Sequence, residues 1–160
     1  MTRKLIVGLI SDTHGLLRPE AVDLLRGSDV IVHAGDIGDP KIIAELEVLA
    51  PVTAIRGNID KGAWAESLPD TDVVQIGESA FLYVLHSIEA LDLDPAAAGF
   101  HAVVYGHTHK PEYKWKAGVL YVNPGSAGPR RFSLPVSVGR VVVEGTSLSV
   151  KLIEIDERLR

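Results

Sequence analysis

Residues 5–10, Leu-Ile-Val-Gly-Leu-Ile, run straight into the polar segment Ser11-Asp12-Thr13-His14-Gly15. That junction limits the possible folds more than any other stretch. An unbroken, mostly branched apolar run specifies a strand buried on both faces. Asp12 and His14 stand two residues apart just past its carboxyl end, so both can project the same way as the strand unwinds. The crevice beyond such strand ends is where open α/β sheets bind ligands. Taken alone, the junction also reads as an Asp or Ser that closes a strand and caps the next helix. Three later apolar runs end in the same manner, each delivering Asp, Asn or His.

The chain continues as alternating units. Pro19 sits at the first turn of a helix expected to reach about Arg26. Val30-Ile31-Val32-His33 is a second short buried strand, leading to Ala34-Gly35-Asp36. Asp39-Pro40 opens a helix with Ile42, Ile43, Leu46 and Leu49 on one face. Residues 52–56 form a third strand that ends in Gly57-Asn58-Ile59-Asp60. This β-α-β-α-β series predicts a parallel sheet with right-handed crossovers. Beyond Trp64 and Pro69 the pattern changes. Residues 72–76 and 80–86 predict a hairpin around Gly77-Glu78, residues 91–98 a short helix, and residues 102–105 a strand ending in Gly106-His107-Thr108-His109. Residues 113–116, 119–122, 136–143 and 147–155 read as strands with antiparallel pairing. A parallel first half and an antiparallel second half predict an α/β fold of two sheets packed face to face, with helices outside.

Composition narrows the chemistry. At 160 residues the chain has the length of one domain, 1–160, large enough to bury roughly 70% of its unfolded surface. A net charge of −5 gives no basic footprint for nucleic acid. The absence of cysteine excludes disulfides, thiolate metal sites and cysteine nucleophiles together. No apolar run approaches ~18 residues and the opening residues lack a signal-peptide core, so no membrane partner and a cytoplasmic location are expected. An oligomer of identical chains is compatible with all of this.

The strand ends together supply Asp12, His14, Asp36, Asn58, His86, His107 and His109, which are oxygen and nitrogen donors throughout. A lone Gly-Asp or Gly-Asn is usually a turn. Four such fragments in this order, each at a strand end, are specific. Two metals need about seven donors if one carboxylate is shared. The donor types suit Mn2+ first, with Fe2+, Ni2+, Co2+ or Zn2+ as alternatives.

Asp12-x-His14, Gly35-Asp36, Gly57-Asn58, His86 and Gly106-His107-x-His109 resemble the calcineurin-like metallophosphoesterases. The length and the segment Asn123-Pro124-Gly125-Ser126 resemble their small bacterial and archaeal phosphodiesterase branch. The resemblance implies a four-layer αββα sandwich of two mixed β-sheets flanked by helices. It also implies two divalent metals, one held by Asp12, His14 and His109 and the other by Asn58, His86 and His107, with Asp36 bridging. Asp36, Asn58 and His14 then carry the catalysis, and a small phosphodiester is the expected substrate. Two such cations clamp the attacking and non-bridging oxygens of an in-line displacement, with a bridging hydroxide as nucleophile. Only Asp12 and Asp36 among the proposed ligands are anionic, so the loaded site carries about +2 and favours an anionic ester. The imidazoles must be neutral to bind, so activity should fall below about pH 6.

Two positions depart from the family pattern. Ile59 stands where many relatives have a histidine that binds phosphate and protonates the leaving group, which favours diesters and leaves the acid unassigned. His86-Ser87 stands where His-Gly is usual, so Ser87 would be strained if the loop needs a positive φ there. Other residues are weighed outside the ligand set. His33 reads as a core histidine that orients a loop, and His101 as a surface residue. Asp60 could orient a ligand or cap its loop. Arg130-Arg131 could clamp the phosphate of the substrate, alongside Asn58, or be a solvated pair. Trp64, Tyr113 and Trp115 could border the pocket or simply pack. The main alternative is a non-catalytic metal-binding scaffold acting in protein–protein interaction, as in the retromer subunit that shares the fold. A serine hydrolase built on Ser126 would leave most of the histidines unexplained.

Overall fold

The computed structural model describes residues 3–155. Among these residues the chain forms ten strands, three α-helices and one 3-10 turn. The first sheet has the order β10-β9-β1-β2-β3. It comprises β1 (Lys4–Ile10), β2 (Val30–His33), β3 (Val52–Ala54), β9 (Val136–Glu144) and β10 (Ser147–Ile155). The second has the order β4-β5-β6-β8-β7, built from β4 (Thr71–Ile76), β5 (Ala80–Leu85), β6 (Ala102–Val104), β7 (Glu112–Lys116) and β8 (Val119–Asn123). β1, β2 and β3 are parallel, joined through α1 (Pro19–Leu25) and α2 (Pro40–Glu47). Among the described residues no helix is long and apolar enough to cross a membrane.

Side-chain alternation makes the layers. Val7 and Leu9 of β1, Leu82 and Val84 of β5, Ala102 and Val104 of β6, and Leu120 and Val122 of β8 share one core between the sheets. The alternate residues face outward. Ile10 and Ile31 pack under α1 and α2 against Ala21, Leu25, Ile42 and Leu46. Tyr83, Leu85, Val103 and Tyr121 form a third cluster on the far face of the second sheet. Since both faces of every central strand are apolar, both sheets must be covered, and the result is the expected α/β sandwich of two mixed five-stranded sheets.

Some details differ from expectation. The second half of the chain is not antiparallel throughout, because β5, β6 and β8 run parallel. β9 and β10 return to the first sheet, β9 pairing antiparallel to β1. The expected helix 91–98 is instead a 3-10 turn, Ile88–Ala90, followed by turns. Asp92, Asp94 and Pro95 crowd that stretch and favour turns over a continuous helix. Ile88, Leu91, Leu93 and Phe100 cover the third cluster without it. β3 ends at Ala54 rather than Arg56. His101 is half-buried, and its Nδ1 accepts a hydrogen bond from the Phe81 N–H.

His33 is fully buried at the end of β2. The Thr13 hydroxyl donates to the Ile37 carbonyl, so it accepts from His33 Nε2 at 3.0 Å, while His33 Nδ1 accepts from the Gly35 N–H at 3.1 Å. Both ring nitrogens are satisfied only in the neutral ring. Burial, outweighing the nearby carboxylates, pushes its pKa from 6.5 down to about 4. A proton that binds the unfolded chain more readily destabilises the fold as pH falls. The contribution is complete above pH 6.5 and lost progressively toward pH 4, by about 3 kcal/mol. Urea unfolding of the wild type and His33→Gln between pH 7 and 4 should show the steeper loss in the wild type; parallel pH dependences would refute the assignment.

Candidate metal centre

The carboxyl ends of β1, β2 and β3 meet those of β5, β6 and β8 along one rim of the sandwich. The first sheet delivers Asp12, His14, Asp36 and Asn58 there, and the second delivers His86, His107 and His109. The strand-end loops extend the pairing beyond the sheet: Asp12 N–H donates to the Gly35 carbonyl and His14 N–H to that of Asp36. Five of these seven residues adopt left-handed backbone, with φ of +54° at Asp12, +46° at His14, +55° at Asp36, +74° at His107 and +65° at His109. Non-glycine residues avoid that region unless their surroundings impose it, and such outliers cluster at functional sites.

The structure brings five donors into contact range. Asp12 Oδ1 lies 3.4 Å from His109 Nε2, 3.8 Å from His14 Nε2 and 3.9 Å from His86 Nε2. Asp36 Oδ2 lies 3.2 Å from His86 Nε2 and 3.6 Å from His14 Nε2. They form two overlapping nests, Asp12-His14-His109 and Asp12-Asp36-His86, with ligand atoms all within 4.8 Å of one another. The first nest is the expected trio. The second pairs His86 with both aspartates, so Asp12 as well as Asp36 lies between the two. Asn58 and His107 are exposed. The ring of His107 meets that of His86 edge-on, with centroids 5.2 Å apart, and Asn58 and His86 line one shallow pocket.

The protons identify what this cluster accommodates. His86 Nδ1 is 2.7 Å from the Ala34 carbonyl, which can only accept, so the neutral ring turns a bare Nε2 toward Asp36 and Asp12. Asp12 Oδ1, His14 Nε2 and His86 Nε2 are buried with no hydrogen-bond partner among the described residues. Lone pairs facing one another in a dry site are unfavourable unless a cation lies between them. Donors about 2.1 Å from a shared ion stand roughly 3.0–3.4 Å apart, close to the spacing here. The donor set therefore fits divalent metal.

The charges agree. Burial alone would raise the Asp12 carboxyl, but His109, His14 and the Ser11 hydroxyl hold it far below the usual range. Asp36 is likewise lowered against its burial by His86 and the Ile59 N–H. His86 is raised against its burial, chiefly by the Asp36 carboxylate and the Ala34 carbonyl.

Each carboxylate is aimed by its outer oxygen. Asp12 Oδ2 accepts from Ser11 Oγ at 2.6 Å and from His107 N–H at 3.1 Å. Asp36 Oδ1 accepts from Ile59 N–H at 3.0 Å. The other oxygen of each is left for the centre. Asp60 settles its two sequence readings in favour of the loop: it accepts from the Ile37, Gly38 and Gly57 N–H groups and ties the Asp36 loop to the Asn58 loop. Gly57 and Gly106 permit this closeness, since a Cβ on Gly57 would strike Asp36 and one on Gly106 would strike Ser11 and Asp12. Ser87 has φ −114°, so the strain anticipated there does not exist.

Sequence reasoning missed several of the braces. Asn123 Nδ2 donates to the Gly106 carbonyl and Thr108 Oγ1, and Ser126 Oγ donates to the Asp12 carbonyl. The segment Asn123–Ser126 was legible as a motif, but not what it holds. Trp64 packs under the helices, while Tyr113 and Trp115 are half-exposed on β7, and Arg130 and Arg131 are exposed.

The model of the calcineurin-like phosphoesterase superfamily domain matches residues 5–146. A protein of Methanothermobacter thermautotrophicus named "Probable metallophosphoesterase" is 34% identical, the match covering 93% of this chain and 92% of that one. A phosphodiesterase of Methanocaldococcus jannaschii is 27% identical over 74% of this chain and 82% of its own. Vps29 of Chaetomium thermophilum superposes with a TM-score of 0.81 at 21% identity, covering 96% of this chain and 90% of its own. With most of its length matched and the donor cluster at its strand ends, the chain belongs to the calcineurin-like phosphoesterase superfamily.

Proposed function

We propose that the chain is a dinuclear metal-dependent phosphodiesterase acting on small phosphate diesters. The single observation that carries the reading is the buried set of unpartnered donor atoms on Asp12, His14 and His86, facing Asp36 and His109. Asp12, His14 and His109 would hold one ion, and Asn58, His86 and His107 the other, with Asp36 shared. Ions bound there would polarise the phosphoryl group and lower the pKa of an attacking water. The residues of the chain do the rest. Asp36 fixes the spacing of the centre, its outer oxygen held by the Ile59 N–H so that the other faces inward. Exposed Asn58 offers its amide to a phosphoryl oxygen at the mouth. His14, partly accessible beside both aspartates, borders the reacting phosphate. The name of the Methanocaldococcus relative supports the diester.

A scaffold role is the second reading, favoured by the close superposition with Vps29. The complete donor set here argues for turnover. The experiment is apo-protein reloaded with Mn2+, Fe2+, Ni2+, Co2+ or Zn2+ and assayed on diesters, monoesters and cyclic nucleotides. Metal-dependent diester hydrolysis is expected, and its absence with every metal would leave the scaffold.

Asp36→Asn removes a negative charge from between two cations while preserving shape. It should lower bound metal, measured by elemental analysis, and reduce turnover at least ~10³-fold with folding retained. A fully active Asp36→Asn protein with normal metal content would exclude the shared role.

The leaving group supplies a further test. A positioned acid contributes ~10²–10⁴-fold when an alkoxide departs. The Ile59 side chain carries no proton and is 44% exposed at the mouth. The rate should therefore depend steeply on leaving-group pKa, with aryl diesters cleaved far faster than alkyl diesters. Ile59→His keeps the N–H that holds Asp36 and should flatten the slope and raise monoester activity. A shallow slope already present in the wild type would assign the proton to another residue.

A further inference from the structure

Residues 127–135, Ala-Gly-Pro-Arg-Arg-Phe-Ser-Leu-Pro, form a loop closed at its base by the Ser126–Val136 bridge and by Ser137 N–H donating to the Ser126 carbonyl at 2.9 Å. That base is fastened to the Asp12 strand end. Ala127 N–H donates to the Ser11 carbonyl at 3.0 Å, and Ser126 Oγ to the Asp12 carbonyl at 2.9 Å. Gly128 lies so close to the Asp12 and Thr13 carbonyls that no side chain would fit, and Arg18 Nη2 donates to the Gly128 carbonyl at 3.1 Å. The tip is a different matter. Phe132 is 96% exposed and takes φ +51°, whereas Phe81 and Phe100 are partly buried. A bare aromatic ring on left-handed backbone is doubly unfavourable for the isolated chain. An outlier of that kind is a reason to look for a function.

Placement and charge say what the ring is for. Three residues separate Gly128 from Phe132, four chain steps and at most about 14 Å when extended, so the tip stays within reach of an ester held beside Asp12. The protein has net charge −5, yet this loop carries Arg130 and Arg131 and no acid. Guanidinium groups pair with phosphate, and an exposed aromatic face stacks on planar rings.

We infer that this loop is the subsite for the ester group that stays on phosphorus. Arg130 and Arg131 hold its anionic phosphate and Phe132 stacks on a flat ring carried by that group. The substrate class is then a phosphodiester whose retained group bears a planar ring, as a nucleoside does. The inference rests on the phosphodiesterase reading and adds the specificity determinant to it.

The test varies the retained group and keeps the leaving group constant. Methyl 4-nitrophenyl phosphate and thymidine 5′-(4-nitrophenyl phosphate) both expel 4-nitrophenolate. Stacking of one base is worth about 5- to 150-fold in affinity. Phe132→Ala should raise KM for the thymidine ester by that factor with kcat nearly unchanged, and leave the methyl ester as in the wild type. Phe132→Trp should restore the thymidine ester. Equal effects on both esters, or a changed oligomeric state in Phe132→Ala, would overturn the subsite. Calorimetric binding of thymidine 5′-phosphate separates the two layers of argument. Turnover with Phe132-independent KM and binding defeats the subsite alone. Absent turnover with Phe132-dependent binding defeats the phosphodiesterase reading, and the assignment to a retained ester group with it, while keeping the stacking of a nucleotide ring on Phe132; absent turnover with Phe132-independent binding defeats the stacking as well.

Discussion

The rim of this sandwich depends on two carboxylates, Asp12 and Asp36, held side by side away from water. At separations within 4.8 Å two negative charges repel by about 3–4 kcal/mol at an effective dielectric of ~20. The fold does not avoid that repulsion; it surrounds it with positive or protic groups. His86 and His109 come from the second sheet, and the carboxylates and His14 from the first. Side chains of both sheets therefore meet on the two carboxylates at the strand ends, where the apolar core between the sheets stops. Packing of Leu9, Val84 and Val104 brings the sheets face to face. His86 and His109 reach the aspartates of the other sheet at the rim.

The aiming of the carboxylates comes from the backbone. His107 and Ile59 each turn an N–H onto the outer oxygen of an aspartate belonging to another loop. Asp60 gathers three N–H groups from two loops. The left-handed residues make this possible, because reversing the chain directly after a strand exposes amide groups that would otherwise continue the ladder. The strain at Asp12, His14, Asp36, His107 and His109 is thus the local consequence of a network in which each loop is held by its neighbour.

This division explains how much of the molecule was legible in the sequence. Buried strands such as Val30–His33 and Val119–Asn123 announce themselves by their composition, and the donors by following those strands. That His33 would be a core residue followed from its place within an apolar run, and its neutral hydrogen-bonded ring agrees. What could not be read was anything made by main-chain atoms, since every residue has an N–H and nothing in the letter Ile at position 59 says that its amide holds Asp36. Pairing direction was equally hidden. Val119–Asn123 looks the same whether β6 runs with it or against it. The helix expected over 91–98 gives way to turns because Asp92, Asp94 and Pro95 outweigh the apolar spacing. Leu91 and Leu93 cover the second sheet from a turn as well as from a helix.

Position 59 shows where freedom remains. Its amide is fixed by Asp36 while its side chain stands 44% exposed, so the geometry of the centre and the chemistry at its mouth are set by different atoms of one residue. The same separation holds at His107, whose N–H braces Asp12 while its ring faces solvent beside His86. A site aimed by backbone groups survives replacement of the side chains around it, because any residue except proline supplies the N–H. A fold shared with a TM-score of 0.81 at only 21% identity is what such a framework allows. The residues that must persist are those that make the close approaches, Gly57 and Gly106, and the carboxylates they admit. The exposed side chain of Ile59 is left free to vary.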